Sequence, residues 1–524
     1  MANKVKHTMK EKNNSTIQGI MGIFVFIMMC VFPVVYHNYY FDILETKYQF
    51  YCVVAIGMAG VMALYGLFSG SLQEYIKQIS VSRLVKEMSV ADWAMIAFWL
   101  SNVISWLFSD WKWDSFWGTE GRYNGVFLIT VYMVAYFMVT RFFELKRWYL
   151  DALLVVSLFV CLFGISDYFQ MDLLGFKVNM VDKQKPIYTS TFGNINTYTV
   201  YVGMVLGVAM MFLAEAKNWK RGLWYYCTMA VSMVALIIST SDNAYLMLAV
   251  IFGLSPLYLF RTRTGMQRYM LSVSTFLLAV HFVAWINVVF ADKVLGIKSM
   301  FTIISELSFL LKITLGCWIL TGILTVLEYK KVDCKWPGKL WVGLWVCVIV
   351  LVVSFVGYAF YDVNVKGNVD GYSVLNGYLL FNENWGSSRG YVWMNAVKLY
   401  KHVLTPFQKL FGYGPDTFQL LMMQYFPPRY NVVYDSAHNE YLHHLLTIGV
   451  VGMMSYIVFI FATIVQMIKN VKNRPEIAAI LLAIMAYVFQ ALVNINLPVI
   501  MPLVLTLWSM GVSRKGVSTE EKEN

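Results

Sequence analysis

The residue best suited to chemistry is His438, which follows Asp435 and Ser436 at the end of a long polar segment. Either Asp435 or Ser436 could cap an incoming helix, and His438 would then lie in its first turn. A helix N-terminus disfavours an extra proton on a nearby imidazole and attracts an anion such as a diphosphate. These residues predict a neutral histidine that acts as a general base. The alternative is a histidine that only anchors an interface between helices.

The residues that follow predict that His438 faces protein. Spacings of four, seven, eleven and fourteen residues place on one helical face Leu442, Leu445, Gly449 and Gly452. Glycines on a membrane helix let a neighbouring helix approach closely. We therefore expect this face to point into a helix bundle.

The elements that must position the histidine are membrane helices. Apolar residues make up 59% of the 524 residues and charged residues 14%, which excludes a soluble globular protein. Fourteen apolar runs are long enough to cross a bilayer, near residues 17–36, 48–69, 90–109, 125–143, 149–167, 195–214, 223–240, 243–260, 269–289, 306–327, 340–360, 437–467, 475–494 and 497–512. The sequence predicts an all-α bundle of about fourteen transmembrane helices, twelve at the fewest, in one integral-membrane domain over residues 1–524.

Positive charge recurs in every second connection, as at 141–147 and 217–221. Cytoplasmic connections retain Lys and Arg, so this regularity predicts that both termini are cytoplasmic. The formal charge of +11 then follows from topology and from contact with membrane lipids, and it gives no reason to expect nucleic acid as a partner.

One long connection on the opposite side, about 361–436, is where function is expected. Its aromatic content argues against disorder, and 391–411 is predicted to form a helix on the membrane surface, broken or bent at Pro406. Asp416 is a candidate N-cap for the helix that carries Phe418. Shorter outward connections lie at 110–124, 168–194 and 290–305.

Other chemistries lack their motifs. Six of the seven cysteines fall inside predicted spans and Cys334 lies in a cytoplasmic connection, so we expect no disulfide and no cysteine-based zinc site. No P-loop, GxGxxG or HExxH pattern occurs.

The arrangement His438-Asn439, nine residues, Gly449, two residues and Gly452 resembles the HN-x9-GxxG signature of the O-antigen ligase and polymerase family. The resemblance is best over 380–467 and weaker from 110 to 260. Further matching positions are Ser388-Arg389-Gly390 with Trp393, Gly412-Tyr413-Gly414 with Phe418, Phe192 to Asn196, and Gly118-Thr119 with Arg122 and Gly125.

This resemblance implies a GT-C-like membrane glycosyltransferase at the outer face of the bacterial cytoplasmic membrane. Such enzymes take a glycan from an undecaprenyl-diphosphate donor and pass it to a glycan or lipid acceptor, without a metal or other cofactor. Polymerases add the glycan to another repeat unit, whereas ligases transfer it to a different acceptor.

Roles follow from the resemblance together with residue chemistry. His438 would take the proton of the acceptor hydroxyl, and Arg389 would hold the diphosphate in a bidentate grip. An arginine that only braces the loop is the alternative for Arg389. Asn439 and Asp435 could orient the imidazole, although Asp435 could instead be only a cap.

Three aromatic residues, Tyr391, Trp393 and Tyr413, could stack on sugar faces, or could simply pack against the membrane. Gly449 and Gly452 complete the expected substrate-binding set. Family members often carry a Ser-Arg pair where this chain has Ser241-Asp242. Asp242 would repel a diphosphate unless it caps a helix or contacts sugar hydroxyls, so either the donor is gripped differently or the missing cation is supplied by Arg122, Lys183 or Lys185.

Two other classes of protein compete with a glycosyltransferase. A transporter or flippase for lipid-linked glycans would more naturally place charged residues at the membrane midplane. A non-catalytic membrane scaffold would leave the matched His438 and Arg389 unexplained. Frequent Lys, Asn, Met and Tyr suit a Gram-positive source and favour capsule or cell-wall polysaccharide as the product.

Overall fold

The structure is a computed structural model that describes residues 2–71, 73, 80–297, 300–331, 335–426 and 433–514. Cys334 lies outside the described residues. The helices of the first half are Ala2–Phe26 (α1), Ile43–Phe68 (α2), Val81–Glu87 (α3), Val90–Phe108 (α4), Lys112–Trp117 (α5), Val126–Phe142 (α6), Arg147–Tyr168 (α7), Ile195–Glu215 (α8), Trp219–Ile238 (α9), Asn243–Leu254 (α10), Pro256–Leu259 (α11) and Arg263–Val289 (α12).

The second half continues with Met300–Ser305 (α13), Leu310–Tyr329 (α14), Gly338–Asn364 (α15), Asn376–Leu379 (α16), Trp385–Lys398 (α17), Pro406–Phe411 (α18), Phe418–Tyr425 (α19), Glu440–Thr447 (α20), Gly449–Val471 (α21), Glu476–Gln490 (α22) and Met501–Gly511 (α23). Two strands of two residues each, Tyr188–Thr189 (β1) and Gly193–Asn194 (β2), pair antiparallel.

The predicted spans coincide with helices of the structure. Ten of the described helical segments are long and apolar enough to cross a membrane. The four other predicted spans coincide with shorter apolar helices, Val126–Phe142, Asn243–Leu259, Glu476–Gln490 and Met501–Gly511. The prediction of an all-α, multi-pass membrane protein is therefore confirmed.

Helix α8 forms the centre of the bundle. Of the 18 most apolar consecutive residues of α8, 94% are buried, whereas none of the corresponding residues of α15 is buried (0%). Helix α8 packs against α9 and α22. The bundle extends through α21, which packs against α4, and through α23, which packs against α6.

The long connection between α15 and α20 is folded in its described part. Its helices α17 and α19 share an apolar cluster with the following α20, made of Val392, Ala396, Leu399, Phe418, Leu421 and Leu446 among others. The stretch 391–411 is divided at Pro406, as predicted: a π-helical turn over Leu399–Val403 ends α17, and Pro406 begins α18. Pro406 suits this first helical position because it has no N–H to bond there.

The predicted span 437–467 is also divided, and the single helical face proposed for it is wrong. Helix α20 ends at Thr447, Ile448 leaves helical geometry, and α21 starts at Gly449 with φ +71°. This left-handed conformation suits glycine and interrupts the helix. Consequently His438 and Gly452 do not lie on one continuous helix.

Candidate active site

Asn439, not Asp435 or Ser436, caps the helix that follows His438. The Oδ1 atom of Asn439 accepts a hydrogen bond from the backbone N–H of Leu442 at 2.9 Å. His438 therefore lies just before α20 rather than in its first turn, with φ +45°. The predicted cap was wrong because Asn is as good a cap as Asp or Ser and stands closer to the helix.

One nitrogen of the His438 imidazole is buried without a hydrogen bond. Its Nδ1 atom is buried and has no hydrogen-bond partner among the described residues. Burial lowers the pKa of His438 from its ordinary 6.5 to about 4; the Asp435 carboxylate opposes this shift, and the Arg389 and Arg122 charges add to it. The ring is thus neutral near pH 7 and has a free nitrogen that can accept a proton.

Arg389 reaches the same site from α17, directly after three residues in left-handed conformation, Gly386 to Ser388. In the described part of the chain, its half-buried guanidinium forms no hydrogen bond or ion pair. Its pKa is lowered by burial, against the opposing charge of Asp242. Burial likewise raises the pKa of Asp242, against Arg389. The structure therefore brings Asp242 and Arg389 together. An acidic neighbour thus partly offsets the positive charge that is expected to hold a diphosphate.

Arg122 is held in position by Asp416, which lies 294 positions later in the chain. The Asp416 carboxylate accepts from Arg122 Nε at 3.0 Å and from the backbone N–H groups of Thr119 at 2.9 Å and Asn124 at 3.0 Å. The prediction that Asp416 caps α19 is wrong, because its oxygens are already committed to these donors. This Asp416 clamp leaves Arg122 Nη1 without a hydrogen bond among the described residues, 3.7 Å from Asp435 Oδ2.

A cavity of about 30 Å³ lies beside Arg122 and Asp416. Its wall includes Glu440, His443 and His444 of α20, none of which is among the site residues predicted from the sequence. Glu440 is buried and accepts from the hydroxyl groups of Tyr456 and Tyr487, each at 2.9 Å. Three ionisable residues in a predicted membrane helix are a sequence signal for a functional site, since such residues are costly in a membrane. The space is enough for about two water molecules.

The aromatic candidates are mostly occupied by packing. The indole N–H of Trp393 donates to the carbonyl of Ala437 at 2.8 Å and so braces the residue before His438. Tyr413 is only 7% exposed, and its hydroxyl donates to Gln424 at 3.1 Å. The ring of Tyr391 lies 5.6 Å from that of Tyr434. Of the three, Tyr413 has the least surface left for a sugar.

The motif glycines serve a close backbone crossing. A Cβ on Gly449 would lie 2.2 Å from the carbonyl oxygen of Leu410, and one on Gly412 would lie 2.1 Å from that of Thr447. A Cβ on Gly452 would meet the side chain of Ile448 at 2.7 Å. The Gly412-Tyr413-Gly414 and Gly449 segments thus interlock, and Tyr413 adds a backbone hydrogen bond to Leu446. Their effect on the site is to hold its elements together.

Residues 300–457 match the protein-family model described as O-antigen ligase. This match contains Arg389, Asp416 and His438, and it confirms the predicted family. Arg122 and Asp242 lie outside the matched segment. No curated protein matches the chain.

Proposed function

With residues 300–457 assigned to the O-antigen ligase family, we propose that the protein transfers a glycan from undecaprenyl diphosphate to an acceptor hydroxyl at the outer face of the bacterial cytoplasmic membrane. The observation that carries the proposal is the buried Nδ1 atom of His438, which has no hydrogen-bond partner among the described residues and lies in the combined field of Arg389 and Arg122. A neutral base beside two cations suits a reaction that takes a proton from a hydroxyl and releases an anionic leaving group.

In the proposed reaction, the acceptor oxygen attacks the anomeric carbon of the donor sugar while the bond from that carbon to the diphosphate breaks. His438 takes the acceptor proton, and the bonding electrons leave with the diphosphate. Arg389 binds the diphosphate oxygens through its planar fork, and it stabilises the charge that grows on them. Direct displacement of this kind inverts the configuration at the sugar carbon.

Asp435 supports the charged form of the base. Its carboxylate opposes the fall in the pKa of His438, so it stabilises the imidazolium that forms when the proton is taken. Asn439 orients the same segment by capping α20. No step assigned to these residues requires a metal ion. In this proposal both termini are cytoplasmic, the whole chain is one membrane domain, and the product is a capsule or cell-wall polysaccharide.

The test is turnover by purified protein in detergent, where transport across a membrane has no meaning. Incubated with the lipid-linked repeat unit of its source, the wild-type protein should form a product ladder if it is a polymerase, or a single transfer product if it is a ligase. His438→Ala should lower the rate by about 10³-fold and Arg389→Lys by about 10²-fold.

Two matched controls separate chemistry from folding. His281→Ala removes a half-buried histidine that contacts Thr314 at 3.1 Å, and Arg147→Lys alters an arginine that lies 3.7 Å from Glu215. Both should retain activity near wild type. Near-normal turnover in both His438→Ala and Arg389→Lys would contradict the proposal.

A further inference from the structure

A second and larger cavity, of about 350 Å³, opens where α7 ends, α8 begins and α9 ends. It lies at the low end of the size range of small-molecule sites, about 300–1,000 Å³. None of the residues that line it is charged. The side chains that matter for its chemistry are Tyr168, Thr189, Ile195, Tyr198, Ser239 and Thr240.

The hydroxyl groups of this lining are oriented by the protein. Tyr168 donates to Asn287 at 2.6 Å, Tyr198 to the carbonyl of Cys161 at 3.3 Å, and Ser239 to the carbonyl of Leu236 at 2.7 Å. A hydroxyl oxygen that donates in this way keeps lone pairs, and the exposed Thr240 side chain presents its hydroxyl where a ligand can reach it. With apolar Ile195 among them and no charged group, the wall suits a neutral polyhydroxylated ring and not a phosphate.

Thr240 marks the cavity as a strained place. Its φ is +52°, which is rare for a β-branched residue, and its side chain is exposed. The surrounding turn is held in place because Ser241 Oγ donates to Asn196 Oδ1 at 2.7 Å. Strain of this kind persists only where neighbouring structure enforces it, and it is concentrated at functional sites.

The same turn connects the cavity with the helix that carries Arg389. Three residues after Asp242, the ring of Tyr245 lies 6.2 Å from that of Tyr378. The carbonyl of Tyr378 accepts from the indole N–H of Trp385 at 2.8 Å, and Trp385 begins α17. The turn that lines the cavity is thus joined through these contacts to the start of the helix that carries Arg389.

We propose that this cavity binds one or two neutral sugar residues of the glycan substrate. The proposal rests on the proposed function and adds to it the place where the saccharide lies. The sugars belong either to the donor glycan or to the acceptor glycan, since both have the same chemistry. Kinetics with each substrate varied in turn distinguish the two sources.

Leu295→Trp is the variant that fills the cavity, because Leu295 lines it and is 36% exposed, so a larger side chain can be accommodated at its rim. The matched control is Leu307→Trp, at a position 38% exposed and outside the cavity lining. Thr240→Val is a second variant, which removes one hydroxyl and keeps the branched shape.

The probe is the free oligosaccharide released by mild acid from the lipid-linked repeat unit, with binding measured by saturation-transfer NMR on the full-length protein. Leu295→Trp should weaken binding about tenfold or more, Thr240→Val should weaken it severalfold, and Leu307→Trp should bind as wild type. In turnover, the KM for one of the two substrates should rise by a similar factor in Leu295→Trp, while kcat changes little.

Two results would overturn the cavity site: no saccharide binding by the wild-type protein, or unchanged affinity and KM in Leu295→Trp. The proposed function fails separately. Saccharide binding that Leu295→Trp abolishes, in a protein that forms no product, supports the cavity and contradicts the transferase. Product formation with an unchanged KM in Leu295→Trp supports the transferase and contradicts the cavity.

Discussion

At the scale of single residues, the site depends on keeping His438 neutral without binding its ring nitrogen. A histidine nitrogen that already accepts a hydrogen bond from a neighbour must lose that bond before it can take a proton. Nδ1 of His438 has no such bond within the described residues. The backbone of His438 adopts a left-handed conformation, with φ +45°, which is a strained one for a residue with a side chain. Its neighbour Asn439 leaves the ring free by capping α20 itself.

The pH dependence of catalysis should reflect this environment. Because burial lowers the pKa of His438 to about 4, the base stays neutral well below pH 6.5. We expect kcat/KM to stay level from neutral pH to about pH 5 and to fall about tenfold per unit below about pH 4. A pH series with the lipid-linked substrate measures this limb.

An acidic limb centred near pH 6.5 would instead indicate an exposed imidazole.

The same lowered pKa of His438 affects the stability of the protein. Between about pH 6.5 and pH 4 the unfolded chain takes up the proton that folded His438 refuses, so the free energy of unfolding should decrease as the pH falls through this range. His438→Ala should lack this contribution.

Asp242 supplies a second prediction at this scale. Its carboxylate opposes the lowering of the pKa of Arg389 and would repel a diphosphate bound there. Asp242→Asn should therefore lower the KM for the lipid-linked donor severalfold. Inorganic diphosphate should also inhibit this variant at lower concentration. Weaker donor binding in Asp242→Asn would show that the carboxylate contacts the substrate favourably.

At the scale of elements, the break between α20 and α21 positions the site. Gly449 follows the end of α20 and packs against the backbone of Leu410, and Gly412 packs against the backbone of Thr447. The crossing brings α18 against α21. In this way a pair of glycines separated by a long stretch of chain determines where the residues before α20 lie.

Gly449→Ala should disrupt this crossing. An added Cβ would lie 2.2 Å from the Leu410 carbonyl oxygen in a left-handed backbone, so we expect a loss of about 2–4 kcal/mol in the free energy of unfolding, together with lower activity. Thermal unfolding followed by tryptophan fluorescence measures the loss. The control is Gly357→Ala in α15, where a Cβ would meet nothing within 4 Å. Equal stability of the two variants would contradict the crossing.

Sequence patterns predict these elements unevenly. Hydropathy locates the apolar helices, ten of them long enough to cross a membrane, because an apolar run satisfies its backbone hydrogen bonds within its own helix. The break at Gly449 could not be read in the same way, since it depends on the backbone of Leu410. The spacing of His438, Gly449 and Gly452 indicated the family, but the shared helical face inferred from it was wrong.

At the scale of the whole molecule, the site is assembled from distant parts of the chain. The Asp416 clamp joins residues that are 297 positions apart, Thr119 and Asp416. From the sequence alone, Arg122 is a candidate cation and Asp416 a candidate helix cap. Their pairing could not be predicted, because nothing local to either residue requires the other.

Breaking the Asp416 clamp should affect both stability and catalysis. Asp416→Ala leaves Arg122 Nε and two backbone N–H groups without their acceptor in a buried place, which should cost about 3–5 kcal/mol. The donor KM should rise as well. In a double-mutant cycle, Arg122→Ala combined with Asp416→Ala should cost less than the sum of the two single changes.

The control for this cycle is Arg141→Ala, which removes a partner of buried Asp92 at 2.8 Å, near the opposite end of α6 from Arg122. This variant should lower the unfolding temperature without changing the donor KM. Additive costs for Arg122→Ala and Asp416→Ala would contradict a direct interaction between them.

The Asp416 clamp also has a consequence for the history of this protein. Because a lone carboxylate or a lone guanidinium at this buried place is costly, positions 122 and 416 should change together among relatives. A lineage that loses the acid at 416 should lose the cation at 122, and chimaeras joining the front of one relative to the back of another should work only when both positions come from compatible parents. Comparison over 300–457 alone would not detect this coupling, because Arg122 lies outside that segment.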